Sequence, residues 1–283
     1  MLDPDWSLTP ILLGVALAGV LVALVARAVR KDRREYQRFK RYRTTAKRQH
    51  MFRRWLVDSL LWLGGLSLGV LLLAWSFLTP LLRELTTWPG IHEIRGFTTH
   101  EPGAVAGFTV GAVVALVVVT AFGIVAARKE QQVPTVGDIH AILPRNRQEL
   151  RLGALLSINA GVVEELLFRL GMPALIFGAT GSAVAAVIGS VLLFGALHAY
   201  QGVVGIVAST LIGALFMLTY ALSGTIFVPI LLHVLFDLRS LVLIPVAVYG
   251  VHRINGITNP ITKPLGKPKA EPVTQPEPQA PAG

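Results

Sequence analysis

The chain of 283 residues contains no cysteine, and only 15% of its residues are charged. The absence of cysteine excludes disulfide bonds, thiolate metal sites and cysteine nucleophiles, and it does not indicate a compartment. With 53% hydrophobic residues and a mean hydropathy of +0.61, the chain holds several apolar runs of about 20 residues, the length that crosses a bilayer. The sequence therefore predicts an all-α, polytopic integral membrane protein.

About seven apolar segments are long enough to be transmembrane helices. We place them at residues 8–26, 55–82, 104–127, 152–170, 182–199, 202–222 and 226–250. Gly171, Met172 and Pro173 follow the fourth segment, and we expect them to break or reorient the chain there. The fifth and sixth segments are rich in glycine and alanine, which permits close contact between helices inside a membrane.

Positive charge is concentrated between the first two apolar segments. Thirteen of the 26 lysine and arginine residues lie between Arg27 and Arg54. The excess of positive charge on cytoplasmic loops predicts that the N-terminus is outside and the C-terminus cytoplasmic, and we expect a bacterial-type plasma membrane. We expect this segment to meet anionic lipid heads. Nucleic acid is not an expected partner, because no recognition motif accompanies the charge.

Aromatic residues such as Tyr36 and Phe39 are interleaved with these bases. The pattern is typical of a helix that extends from the membrane or lies on its surface. A solvated helical hairpin arm would give the same amphipathic signal, so the sequence leaves both open.

Two adjacent glutamates and an arginine interrupt the fourth apolar segment. On a helix, Glu165 and Arg169 stand four residues apart in the favourable order for an ion pair. Glu164 points roughly 100° away and stays free for chemistry. Because ionisable groups at membrane depth are costly, they indicate a functional site. The alternative is a buried structural ion pair with a spare glutamate that faces water.

The later apolar segments carry the other groups that can handle protons or metals. His233 and Asp237 stand four residues apart, so both project from one face of one helix, and Phe194 and His198 have the same spacing. Three helices thus each present one polar patch. We expect these patches to converge on a single cavity.

Together, the motifs EExxxR, FxxxH and HxxxD in this order resemble the CPBP or Abi family of intramembrane proteases, which includes the type II CAAX prenyl endopeptidases. The resemblance covers residues 145–243. It implies two sets of site residues. The catalytic side chains would be those of Glu164, His198, His233 and Asp237. The supporting side chains would be those of Glu165, Arg169 and Phe194. In the implied mechanism, Glu164 activates a water for attack on a peptide carbonyl with help from His198. His233 and Asp237 stabilise the oxyanion or hold the water.

Whether a metal takes part is left open by the sequence. Glu164, His198, His233 and Asp237 form a nitrogen and oxygen ligand set that suits Zn2+, and a metal-free glutamate mechanism is the alternative. There is no HExxH motif. Family members often carry asparagine at the last motif position, whereas an ionised Asp237 cannot donate to an oxyanion. Aspartate here favours a metal, or a protonated carboxyl.

We expect four regions along the chain. They are an N-terminal transmembrane helix with the basic segment (1–54), two further transmembrane helices with loops (55–144), a protease domain (145–250) and a disordered proline-rich tail (251–283). The predicted function is hydrolysis of a peptide bond in a membrane-associated protein. One alternative is a proton-coupled transporter, because Glu, His and Asp also build proton relays. The other is a catalytically silent scaffold or immunity protein.

Overall fold

The computed structural model of the chain describes residues 7–101, 103–130 and 139–255. These residues form helices and no strand. The helices are α1 (Thr9–Lys40), α2 (Thr45–Leu85), α3 (Ile91–His100), α4 (Ala104–Glu130), α5 (Arg147–Glu165), α6 (Met172–Thr180), α7 (Ala183–Leu197), α8 (Gly202–Ser223) and α9 (Phe227–Tyr249). Most of the predicted disordered tail, residues 256–283, lies outside the described residues.

Several short turns of other helix types join or interrupt these helices. The π-helical turns are Ala28–Asp32 in α1, Ser59–Leu63 in α2, Leu166–Gly171 between α5 and α6, and Arg239–Leu243 in α9. The 3-10 turns are Trp75–Phe77 in α2, His140–Ile142, Ala199–Gln201 and Val251–Arg253. The side chain of Asn146 caps the N-terminus of α5, because its Oδ1 accepts hydrogen bonds from the backbone N–H groups of Gln148 and Glu149.

Five helices, α1, α2, α4, α8 and α9, are long and apolar enough to cross a membrane, and α7 is a shorter apolar helix. This confirms the all-α polytopic fold, but it does not confirm the predicted number of seven spans. The predicted fourth span, residues 152–170, lies in α5 and the following π-helical turn, and it is not among the five. Glu164, Glu165 and Arg169 lie in its later half and lower its apolar character.

Of the predicted break or reorientation at residues 171–173, the break is wrong. The helical path continues from α5 through the turn Leu166–Gly171 into α6. Pro173 stands in the first turn of α6, where a missing backbone N–H is tolerated. The chain reverses only at Gly181, whose φ of 68° is a left-handed conformation that glycine adopts without a steric penalty. π-helical turns inside helices occur frequently at functional sites.

The basic segment folds as a helical hairpin made by the end of α1 and the start of α2. Phe39 and Phe52 are fully buried in this hairpin and pack with Leu152 and Leu156 of α5. The segment therefore extends from the membrane helix, and its aromatic face packs on protein rather than on lipid. A solvated arm is excluded by this burial.

A buried ion pair fixes the hairpin to the start of α5. Arg48 Nε and Nη2 donate to the carboxylate of Glu149, each at 3.1 Å, and Arg48 is 1% exposed. The guanidinium also donates to the carbonyl oxygens of Ala141 (2.9 Å) and Leu143 (3.1 Å). These extra bonds matter because a buried ion pair is favourable only when its hydrogen-bonding groups are satisfied. Both basic loops thus lie at one end of the bundle, as the predicted topology requires.

Small residues bring the helices around the site into close contact, as predicted. A Cβ added to Gly195 of α7 would lie 1.9 Å from Thr210 Oγ1 of α8. A Cβ added to Gly161 of α5 would lie 2.4 Å from Val234 Cγ2 of α9. No methyl group fits at either position, so glycine sets the distance between these helices.

Candidate active site

Glu165 is the buried anchor of the site. It ends α5 with no exposed surface, and its Oε1 accepts a hydrogen bond from His233 Nδ1 at 2.6 Å. Its Oε2 lies 2.9 Å from Arg169 Nε, an ion-pair contact that is not aligned as a hydrogen bond. The ion pair expected from the spacing of four residues is therefore present. It ties α5 to the following π turn and to α9.

Arg169 forms the ion pair with Glu165 and packs against two aromatic rings. Its guanidinium carbon lies 4.7 Å from the ring centre of Phe194 and 5.6 Å from that of Phe216. Its Nη1 and Nη2 form no hydrogen bond with any described residue. The two rings supply the compensation that a buried cation needs, through cation–π attraction. Arg169 is thus buried beside Glu165 and against these two rings.

His198 is the C-terminal cap residue of α7, where the last carbonyl groups of a helix have no backbone N–H partner within the helix. Its Nδ1 lies 2.8 Å from the carbonyl oxygen of Phe194. A carbonyl can only accept, so Nδ1 carries the proton and Nε2 presents a lone pair. The rings of Phe194 and His198 lie 4.8 Å apart, which explains the FxxxH spacing.

His233 is oriented by two neighbours on different helices. Its Nδ1 donates to Glu165, and its ring stacks on Phe216 of α8 with 5.1 Å between centres. Its Nε2 lies 3.8 Å from Oδ2 of Asp237, one turn further along α9. The hydrogen bond to Glu165 assigns the proton to Nδ1, so a neutral His233 also presents a lone pair at Nε2.

Glu164 is partly exposed and forms no hydrogen bond or ion pair with any described residue. It interacts electrostatically with His233 and with Asp237. Asp237, whose side chain is 28% exposed, also interacts with His198. The structure thus brings the four predicted catalytic side chains, from α5, α7 and α9, into one site. The three supporting residues pack behind them.

The four side chains do not form a metal-ligand cluster in this arrangement. Among the described residues, which include all four, no group of three or more His, Cys, Asp or Glu side chains is placed so that it could hold a metal ion. Zinc stays a prediction, and the mechanism below has no step that depends on it.

Tyr200 and Phe216 were not predicted as part of the site. Tyr200 lies on the 3-10 turn after α7, with its ring 6.0 Å from that of His198. It interacts electrostatically with Glu164 and Asp237. The residue is outside a regular helix, so no helical spacing links it to the motifs. The only signal in the sequence is an aromatic residue two positions after the histidine.

Residues 146–239 match a family model. The family is the Rce1-like type II CAAX prenyl endopeptidases. The match includes every predicted site residue, and it confirms the resemblance read from the three motifs. Residues 1–145 and 240–283 lie outside the match. No curated protein and no solved structure matches the chain significantly.

Proposed function

We propose that the protein is an intramembrane endopeptidase in which Glu164 activates a water molecule to hydrolyse a peptide bond of a membrane-associated protein. The choice of Glu164 as the base rests on the contacts of the two adjacent glutamates. Both carboxylate oxygens of Glu165 are engaged, one by Arg169 and one by His233. The adjacent Glu164 has neither partner and is partly exposed. It is the carboxylate of the pair that is available to a water.

The chemistry needs one base that later acts as an acid. The Glu164 carboxylate takes a proton from water while the water oxygen attacks the peptide carbonyl carbon. When the tetrahedral intermediate collapses, protonated Glu164 returns that proton to the leaving nitrogen and the C–N bond breaks. The products are a carboxylic acid and an amine, and transfer of the remaining water proton from the acid to the amine gives a carboxylate and an ammonium group. A positioned general base of this kind contributes about 10²–10⁴-fold to the rate.

The histidines orient the water in this proposal. The Nε2 atoms of His198 and His233 are lone-pair acceptors when the rings are neutral, because each Nδ1 proton is already donated. Glu164 takes one proton of the attacking water, and the Nε2 atom of either histidine can accept a hydrogen bond from the other proton, which turns the water lone pair toward the substrate. Asp237, 3.8 Å from His233 Nε2, limits how that ring can move.

The substrate class follows from the match to an endopeptidase family and from the membrane fold. We propose a membrane-associated protein as substrate, and peptides ending in a prenylated CAAX sequence are the first probe. The test uses purified protein in lipid vesicles, a panel of membrane-tethered reporter peptides and water enriched in oxygen-18. We expect one heavy oxygen in the new carboxyl terminus of the product. A folded sample that cleaves none of the peptides would contradict the proposal and favour transport or scaffolding.

We also propose a lipid partner for the solvent-exposed face at the C-terminal end of α1. Four arginines there, which we call the basic stripe, line one groove: Arg33, Arg34, Arg38 and Arg41. Arg27 and Lys31, earlier in the same helix, are paired, because both contact Asp58. The stripe forms no ion pair with any described residue. We propose that it meets anionic lipid headgroups, whose attraction for a juxtamembrane base is about 1 kcal/mol.

A further inference from the structure

The proposed reaction develops negative charge on the substrate carbonyl oxygen, and the four predicted catalytic side chains offer it few donors. His198 and His233 have already donated their Nδ1 protons to Phe194 and Glu165. An ionised Asp237 is an acceptor only. Stabilisation of an oxyanion by aligned donors is usually the largest single contribution to acyl-transfer catalysis. A further donor is therefore expected in this site.

Tyr200 has a hydroxyl group suited to this role. Gln201 Nε2 donates to its oxygen at 2.9 Å, so the phenol oxygen acts there as an acceptor. Among the described residues, no acceptor lies within hydrogen-bond distance of the phenol proton. The side chain is partly exposed and interacts electrostatically with Glu164 and Asp237 on the two other helices of the site. Its O–H can thus be donated to a bound substrate.

The N-terminal hairpin holds Tyr200 in place. The ring of Tyr36, on α1, packs edge-on against that of Tyr200 with 5.3 Å between centres, and Tyr36 is 2% exposed. The hairpin itself is fixed to α5 by the buried pair of Arg48 and Glu149. A region outside the family match therefore positions a group of the candidate active site. A donor fixed in this way loses little freedom when the substrate binds.

We propose that Tyr200 is a further catalytic residue of the proposed hydrolysis. Its O–H donates a hydrogen bond to the carbonyl oxygen of the scissile peptide, and this bond strengthens as the oxygen becomes negative. The phenol proton stays on Tyr200 throughout, so Glu164 alone carries the transferred proton. The inference rests on the proposed peptidase function.

The test compares Tyr200→Phe, Tyr200→Ala and the wild type on a membrane-tethered peptide that the wild type cleaves. Tyr200→Phe keeps the ring contacts with Tyr36 and His198 and removes only the hydroxyl. We expect it to lower kcat about 10²–10³-fold, the effect of removing one oxyanion donor, with KM unchanged. Tyr220→Phe is the matched control, because Tyr220 is buried with Val191 and Met217 away from the site. It should cleave at the wild-type rate.

Other outcomes overturn the inference in distinguishable ways. Wild-type kcat in Tyr200→Phe, together with loss of activity in Tyr200→Ala, would mean that the ring only packs against His198. A wild-type enzyme that cleaves nothing would contradict the peptidase proposal itself, and the role of Tyr200 with it. If Tyr200→Phe fails to fold, fluorinated tyrosine at position 200 keeps the shape and makes the phenol more acidic. Activity should then fall at a lower pH than in the wild type, and an unchanged pH profile would refute the donor role.

Discussion

Replacing Gly161 by alanine should disrupt the site through a single methyl group. The added Cβ would lie 2.4 Å from Val234 Cγ2, about 1 Å short of ordinary contact at 3.4 Å. α5 and α9 must separate, or Val234 must move. The hydrogen bond of 2.6 Å between His233 and Glu165 joins the same two helices one turn away, so a separation of about 1 Å would break it.

The two energetic effects of this substitution have opposite signs. Overpacking a tight contact costs about 1–3 kcal/mol, while alanine is about 1 kcal/mol better than glycine inside a helix. We therefore expect a decrease in the free energy of unfolding of at most about 2 kcal/mol. Activity should suffer more, because a misplacement of about 1 Å can lower the rate of a positioned reaction about 10²-fold.

The assay pairs thermal unfolding with cleavage of a membrane-tethered reporter. Gly19→Ala is the control, since a Cβ there meets nothing within 4 Å. The double variant Gly161→Ala with Val234→Ala removes the clashing methyl and should regain part of the activity, because the backbone N of Val234 still lies 3.0 Å from the new Cβ. A Gly161→Ala protein with wild-type activity and stability would refute the close helix contact on which the site geometry rests.

Three further predictions concern the hairpin and the metal question. Arg48→Met should lower the free energy of unfolding by about 3–5 kcal/mol, because it leaves Glu149 buried without its partner, and adding Glu149→Leu should restore most of the loss in the same unfolding measurement. Changing the four basic-stripe arginines to glutamine should weaken binding of anionic lipid to the detergent-solubilised protein by about 1 kcal/mol per base, with no change for neutral lipid; equal binding of both lipids would contradict the lipid proposal. A metal chelator should leave peptide cleavage unchanged, because the proposed mechanism has no step that uses a metal ion, and loss of activity that zinc restores would show this prediction to be wrong.

The parts of the site that could be predicted from the sequence are those set by helical periodicity. Glu165 with Arg169, Phe194 with His198, and His233 with Asp237 each stand four residues apart, and each pair is in contact. Their order along the chain also carried the family resemblance that residues 146–239 confirm. A spacing of four residues fixes a contact as soon as the helix forms, without knowledge of the tertiary structure.

Contacts between distant segments could not be predicted in this way. His233 and Glu165 are 68 residues apart, and Arg48 and Glu149 are 101 residues apart. No local pattern links such pairs, because they depend on how the helices pack. The continuous path from α5 to α6 was also missed, since glycine and proline in sequence indicate a break, and the π-helical turn that precedes Pro173 has no clear sequence signal.

The central claim is that Glu164 activates the water, and Glu164→Gln tests it most directly. The amide keeps the size of the side chain and cannot accept a proton at neutral pH. The matched control is Glu84→Gln, an exposed glutamate at the end of α2. Measured as kcat on a membrane-tethered peptide, Glu164→Gln should fall at least about 10²-fold, the lower limit for a general base, while Glu84→Gln keeps the wild-type value. A folded Glu164→Gln protein that cleaves the peptide at the wild-type rate would contradict the account.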